Sequence, residues 1–269
     1  MHHAEPHQST PIRADQARTL AALYTSPEIL RVVNVWDAVS ARVVAELPGT
    51  HALATAGHGI AASHGYPDGE RIPLDMMLAA VARIVAVSDL PVSADLDGGF
   101  GNSGETTRRA IGLGVVGGNI EDQLRPLADS VEVMRAAVQA GEREGVPFVL
   151  NARTDAFVRG GDRPRDVIIA DAVERGRAYL DVGAQCVFVP GVLDAEVTRA
   201  LVDGIGAGKV SVIGLPGALS AAEYEALGVA RISYGPMPQN VALTALKRLG
   251  ESLLGTGVVP EDTEKLNNF

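Results

Sequence analysis

Eight times along this chain a short run rich in β-branched and small apolar residues gives way to a longer amphipathic stretch, and few folds accommodate that rhythm. The strand-like runs are residues 32–36, 52–56, 91–95, 115–120, 148–151, 186–189, 210–213 and 231–234. Helical patterns lie between them, as at 74–88, 130–144, 165–182 and 221–227, with a lead-in helix over 11–25 and a closing helix over 239–254. Strand followed by helix, repeated eight times, predicts parallel βα units closed into a (β/α)₈ TIM barrel of α/β class rather than an open doubly wound sheet. The length of 269 residues suits one such barrel, which typically needs roughly 250. The expected organisation is a loose tail over 1–8, one barrel over 9–257 and a second tail over 258–269.

Charge narrows the possible partners. A formal net charge of −10 leaves no basic stripe to neutralise phosphates, which argues against nucleic acid. It also repels a small anion at long range, so a site for one must carry local positive charge from arginine or a metal. Cys186 is the single cysteine, so no intrachain disulfide forms and a reducing, cytoplasmic location is expected. No apolar run reaches membrane-spanning length, and residues 1–8 lack the apolar core of a signal peptide.

In such barrels the reactive groups come from the C-terminal ends of the strands, which makes the residues there informative. They are Trp36-Asp37, Gly57-His58-Gly59, Asp95-Leu96-Asp97-Gly98-Gly99, Glu121-Asp122-Gln123 and Asn151-Ala152-Arg153-Thr154-Asp155, whereas the last three strands end mostly in Gly and Pro. Asp95 and Asp97 lie two apart and can point the same way. With Glu121 they offer hard oxygen ligands suited to Mg²⁺ or Mn²⁺, while no Cys/His set has zinc spacing. Alone, an Asp-x-Asp equally caps a helix; three acids with Arg153 beside them favour the metal. Arg153 can clamp a substrate carboxylate with two parallel bonds, or pair with one of the acids. His58 is either a proton donor and acceptor or a plainly hydrogen-bonded histidine, and His64 reads as structural.

Gly99-Phe100-Gly101-Asn102-Ser103-Gly104 fits the G-x-G-x-x-G dinucleotide pattern. A pyrophosphate there would sit against Asp95 and Asp97, so a tight turn is the better reading.

These residues resemble the isocitrate lyase/phosphoenolpyruvate mutase superfamily. Ala94-Asp95-Leu96-Asp97-Gly98-Gly99-Phe100-Gly101-Asn102 is similar to its metal-binding segment, Ile120-Glu121-Asp122 to its next-strand acid, and Asn151-Ala152-Arg153-Thr154-Asp155-Ala156 to its carboxylate-binding arginine. Asn34-Val35-Trp36-Asp37 and the stretch from Gly57 to Asp68 resemble its first two strands and loops. The resemblance implies Mg²⁺ on Asp95, assisted by Asp97 and Glu121 mostly through water. It implies a substrate carboxylate on Arg153 and on backbone N–H groups near Gly57 and His58, with Trp36 and Ala56 lining the substrate. It implies a homotetramer, a dimer of dimers exchanging last helices, and a metal-stabilised enolate as the chemical device.

Departures from the pattern bear on the reaction. Isocitrate-type lyases carry a gating loop with Lys-Lys-Cys-Gly-His or Lys-Arg-Cys-Gly-His, and here 122–130 holds no Cys. Phosphonopyruvate mutases and hydrolases carry a loop Lys where Leu127 stands. Asp68 matches the position of the mutase aspartate, and equally suits a turn or helix cap. The expected function is a Mg²⁺-dependent carbon–carbon lyase acting on a small 2-oxo or 2-hydroxy dicarboxylate, by decarboxylation or retro-aldol cleavage, with His58 or Asp68 moving the proton. The alternatives are phosphorus–carbon chemistry and a non-catalytic keto-acid-binding protein.

Overall fold

The computed structural model describes residues 10–267, so the expectation for residues 1–8 lies outside them. Helix α1 (Thr10–Tyr24) leads in and is followed by β1 (Leu30–Val32), β2 (Asn34–Val35) and α2 (Ala38–Ala45). Then come β3 (Leu53–Thr55), α3 (Gly57–Ser63), α4 (Leu74–Val85), β4 (Val92–Asp95), α5 (Ser103–Gly112) and β5 (Gly117–Glu121). The second half holds α6 (Leu127–Arg143), β6 (Val149–Arg153), α7 (Arg165–Asp181), β7 (Cys186–Phe188) and α8 (Ala195–Ile205). It ends with β8 (Val210–Ile213), α9 (Ala221–Ala226), β9 (Arg231–Ser233) and α10 (Met237–Thr256).

All pairings are parallel, in the order β1-β9-β8-β7-β6-β5-β4-β3-β2. The strand expected over 32–36 is split at Val33: β1 pairs with β9, and β2 with β3. The ring thus closes through the first strand, as a (β/α)₈ barrel requires. Asn34 fastens the seam, accepting from the backbone N–H groups of Tyr234 (2.7 Å) and Gly235 (2.8 Å) and donating to the Thr55 carbonyl (3.1 Å). One side chain that satisfies three backbone groups explains why a polar residue is buried there.

The strands are buried nearly throughout because helices cover the sheet. On α4, Met77, Leu78, Val81 and Ile84 recur at three- and four-residue spacing and form its buried stripe. Helix α6 begins at Leu127, three residues before the expected start, because Pro126 sets an extended entry and cannot donate a helical hydrogen bond. In α10 only Gln239 is buried; its amide donates to Gly59 O (3.0 Å) and Ser63 Oγ (2.9 Å), tying the helix start to α3. Val241, Leu243, Leu246 and Leu254 further along it are exposed. Residues 258–267 are exposed and carry no helix or strand. Among the described residues no helix is long and apolar enough to cross a membrane.

Candidate active site

The C-terminal ends of the strands enclose a cavity of about 320 Å³. Ala56, His58, Asp95, Asp97, Glu121 and Arg153 line it, so the strand-end acids and the arginine come together in one space. Asp68 lines it from the loop after α3.

Local backbone chemistry places the acids. The Asp95 N–H donates to Thr55 Oγ1 (2.9 Å), and Gly57 N–H donates to the Asp95 carboxylate (3.1 Å). A side chain at position 57 would put its Cβ 3.0 Å from Asp95 Oδ2, so only glycine lets α3 start against this carboxylate. The N–H expected to meet a substrate carboxylate is thus engaged by Asp95. Past β4, Glu121 N–H donates to Asp97 O (2.8 Å), which sets Asp97 beside Glu121. Asp97 holds a left-handed backbone with φ 47°, a conformation that costs energy and collects at functional sites.

Burial and mutual repulsion dominate the electrostatics. Burial, then the charges of Asp95 and Glu121, push the Asp97 carboxyl up to about 9. Burial raises Glu121 to about 7 against the opposing pull of Arg153, and Asp95 is raised for the same reason. Arg153 forms an ion pair through Nη1 with Glu121 (3.0 Å) and donates through Nε to Asp155 (2.8 Å). The acid-paired reading of Arg153 is therefore the arrangement present in the structure. Asp155 is fully buried and also accepts from Arg159 Nε (2.9 Å).

This surplus of carboxylate fits a cation. Among the described residues no group of three His, Cys, Asp or Glu side chains closes into a ready-made metal cage. A wall of carboxylates suits an ion that keeps much of its water shell, as Mg²⁺ does with one or two protein carboxylates.

At the rim His58 Nδ1 lies 3.4 Å from Asp68 Oδ2, both about half exposed. His64 lies on the outside with Nδ1 2.9 Å from Ile60 O, at the end of α3. Trp36, expected to line the substrate, is not in the cavity and borders outer grooves with Asp37 and Val39. The strand ends at Val35, and a capping box between Asp37 and Ser40 turns the chain straight into α2. In the G-x-G-x-x-G stretch, Gly99 has φ 89° and Asn102 caps α5 through Glu105 N–H (3.1 Å), so the motif is a turn into a helix. The loop after Glu121 is short and fastened: Gln123 donates to Glu70 (3.3 Å) and Arg125 to Gly98 O (3.3 Å). Cys186 sits fully buried within β7, and burial pushes its thiol up to about 12.

Sequence reasoning missed Arg159, Val158, Phe188 and Asn119, which also line the cavity. An arginine four residues after Asp155 is the one signal that could have pointed to Arg159.

Fold and site together define an α/β barrel with a strand-end pocket lined by carboxylates and arginine. The chain belongs to the phosphoenolpyruvate phosphomutase family, whose model matches residues 20–254, and so to the isocitrate lyase/phosphoenolpyruvate mutase superfamily. It is 30% identical to the 2,3-dimethylmalate lyase of Eubacterium barkeri over 88% of this chain and 86% of that one. To the 2-methylisocitrate lyase of Escherichia coli K12 it is 32% identical over 70% of this chain and 66% of that one. The crystal structure of oxaloacetate acetylhydrolase with its product oxalate superposes with a TM-score of 0.83 at 26% identity, covering 93% of this chain and 91% of that one.

Proposed function

We propose that this protein is a Mg²⁺-dependent carbon–carbon lyase that cleaves a small 2-oxo or 2-hydroxy dicarboxylic acid by way of an enolate, through decarboxylation or retro-aldol cleavage. The observation that carries this reading is the wall of Asp95, Asp97 and Glu121 facing one cavity, with Arg153 as the guanidinium paired to it. Asp95, Asp97 and Glu121 would hold the ion. When bound, the ion supplies Lewis acidity that polarises the oxygen atoms of a 2-oxo or 2-hydroxy acid. Mn²⁺ suits the same ligands.

The chain's own residues do the rest. Arg153, fixed by Glu121 and Asp155, presents its remaining nitrogen to the substrate carboxylate. Ala56 and the first turn of α3 wall the acid end. His58 and Asp68, 3.4 Å apart and both lining the cavity, are the groups that would pass a proton to or from the reacting carbon or hydroxyl. Cys186 cannot take that role, because it is buried in the barrel wall. The relatives named for lyase activity and the absence of any lysine among the cavity residues favour carbon–carbon over phosphorus–carbon cleavage. The uncovered apolar residues of α10 support a homotetramer that exchanges its last helices, and the reduced Cys186 supports a cytoplasmic setting.

The test is incubation with oxaloacetate and with 2,3-dimethylmalate, in Mg²⁺ and in EDTA, followed by NMR of the products. Metal-dependent formation of pyruvate or another cleavage product is expected. Equal rates with and without metal, or turnover of phosphonopyruvate alone, would contradict the reading, and tight binding without turnover would make the protein a sensor.

A further inference from the structure

One cationic group of the cavity has no part in the proposed function. Asp95, Asp97 and Glu121 form the acidic wall and Arg153 Nη1 lies 3.0 Å from Glu121, whereas Arg159 is joined to Arg153 only through Asp155. Asp155 is 0% exposed and accepts from Arg153 Nε at Oδ1 (2.8 Å) and from Arg159 Nε at Oδ2 (2.9 Å). One buried carboxylate thus sets the spacing of two guanidinium groups. Its own backbone is held as well, since Asp155 N–H donates to Asp122 Oδ1 (3.0 Å) and Arg159 N–H donates to Asp155 O (2.8 Å).

The two arginines differ in what they have left to give. Arg153 has already spent Nε and Nη1 on Asp155 and Glu121. Arg159 uses only Nε; among the described residues neither of its Nη groups has a partner. Its side chain is 52% exposed, which places it at the mouth and not in the packed wall. Val158, Phe188, Pro190 and Ile213 add apolar surface to the same lining. An acid held at the acidic wall therefore shares its cavity with a half-free guanidinium whose position Asp155 fixes.

We infer that Arg159 is the specificity-determining residue for the second carboxylate of a dicarboxylic substrate, reading the end that the acidic wall and Arg153 do not hold. The inference rests on the proposed function, because it takes the 2-oxo or 2-hydroxy acid end to bind at the acidic wall. A monocarboxylate has no group for Arg159 to meet, so the contact discriminates by charge. The planar fork, presented edge-on, matches a carboxylate with two parallel bonds, which an ammonium cannot reproduce.

Lactate and malate share the 2-hydroxy acid end and differ in the distal carboxylate, which makes them the probes. Their affinities are measured by calorimetry in Mg²⁺, for the wild type, Arg159→Gln and Arg159→Lys. The wild type is expected to bind malate at least tenfold more tightly than lactate. Arg159→Gln should bring malate affinity down to that of lactate, with the fold intact by circular dichroism, and Arg159→Lys should fall between. A malate-to-lactate ratio that is the same in Arg159→Gln and wild type overturns the inference and leaves the proposed function standing. A wild type that binds both acids equally does the same. Binding of neither acid to the wild type in Mg²⁺ brings down the proposed function, and this inference with it.

Discussion

Glu121 and Asp122 are neighbours at the end of one strand, yet they lead opposite lives. Strand alternation points Glu121 into the cavity and Asp122 outward, between the sheet and the helices. Asp122 is 0% exposed and fully satisfied: it accepts from Leu124 N–H (2.8 Å), Asp155 N–H (3.0 Å), Arg175 Nη1 (3.1 Å) and Tyr179 OH (2.7 Å). Glu121 shares one guanidinium with Asp155, stands near Asp95, and is pushed up to about 7 by burial. A buried charge with a complete set of donors fixes structure. One left short of partners is poised to meet a ligand.

Paired substitutions break this comparison most sharply. Asp122→Asn removes one of the two counter-charges of buried Arg175, leaving Asp171, and is expected to cost about 2–3 kcal/mol in urea unfolding. Glu121→Gln keeps an acceptor for Arg153 and should shift stability by less than about 1 kcal/mol, while cutting turnover by about 10²-fold or more. Similar stability losses in both variants would show that the two carboxylates are equivalent after all.

Arg153→Lys comes next in size. It loses the fork and loosens both Glu121 and Asp155, so KM should rise roughly 10- to 100-fold, the range set by a charged hydrogen bond. Wild-type KM in this variant would take Arg153 out of the site.

The pH dependence of the metal-free protein sharpens the contrast further. Folded Asp97 titrates at about 9 and Glu121 at about 7, both above the roughly 4 of an unfolded carboxyl. The folded state therefore holds more protons across this window, and stability conferred below about pH 4 is lost as pH rises toward 9. Melting temperature in EDTA should fall between pH 5 and 8.5, less steeply in Asp97→Asn, and Mg²⁺ should restore it. A rise over that range would contradict the assigned charge surplus.

The smallest effect concerns Cys186. Buried and pushed up to about 12, it should react with a thiol reagent at pH 8 only after unfolding. Rapid labelling of the native protein would show that the barrel wall opens.

The barrel was legible because each buried parallel strand is a short apolar run that its following helix separates from the next. Asp95, Asp97, Glu121 and Arg153 were legible for a related reason, since strand ends in this fold face one mouth. What stayed hidden lies where no periodicity speaks. The family resemblance put Trp36 at the substrate, but the Asp37–Ser40 capping box carries it outward. Arg159 sits in the loop before α7, and only the fold-back of Asp155 brings it to the cavity. The structural role of Asp122 has no local signal, since its helical partners Arg175 and Tyr179 lie 53 and 57 residues away.

Calorimetric titration of Mg²⁺ into wild type and Asp95→Ala at pH 8 tests most directly whether a divalent ion sits against the carboxylate wall. One saturable ion per chain is expected in the wild type and none in Asp95→Ala, with the fold intact by circular dichroism. Equal binding by both proteins, or no binding by the wild type, would contradict it.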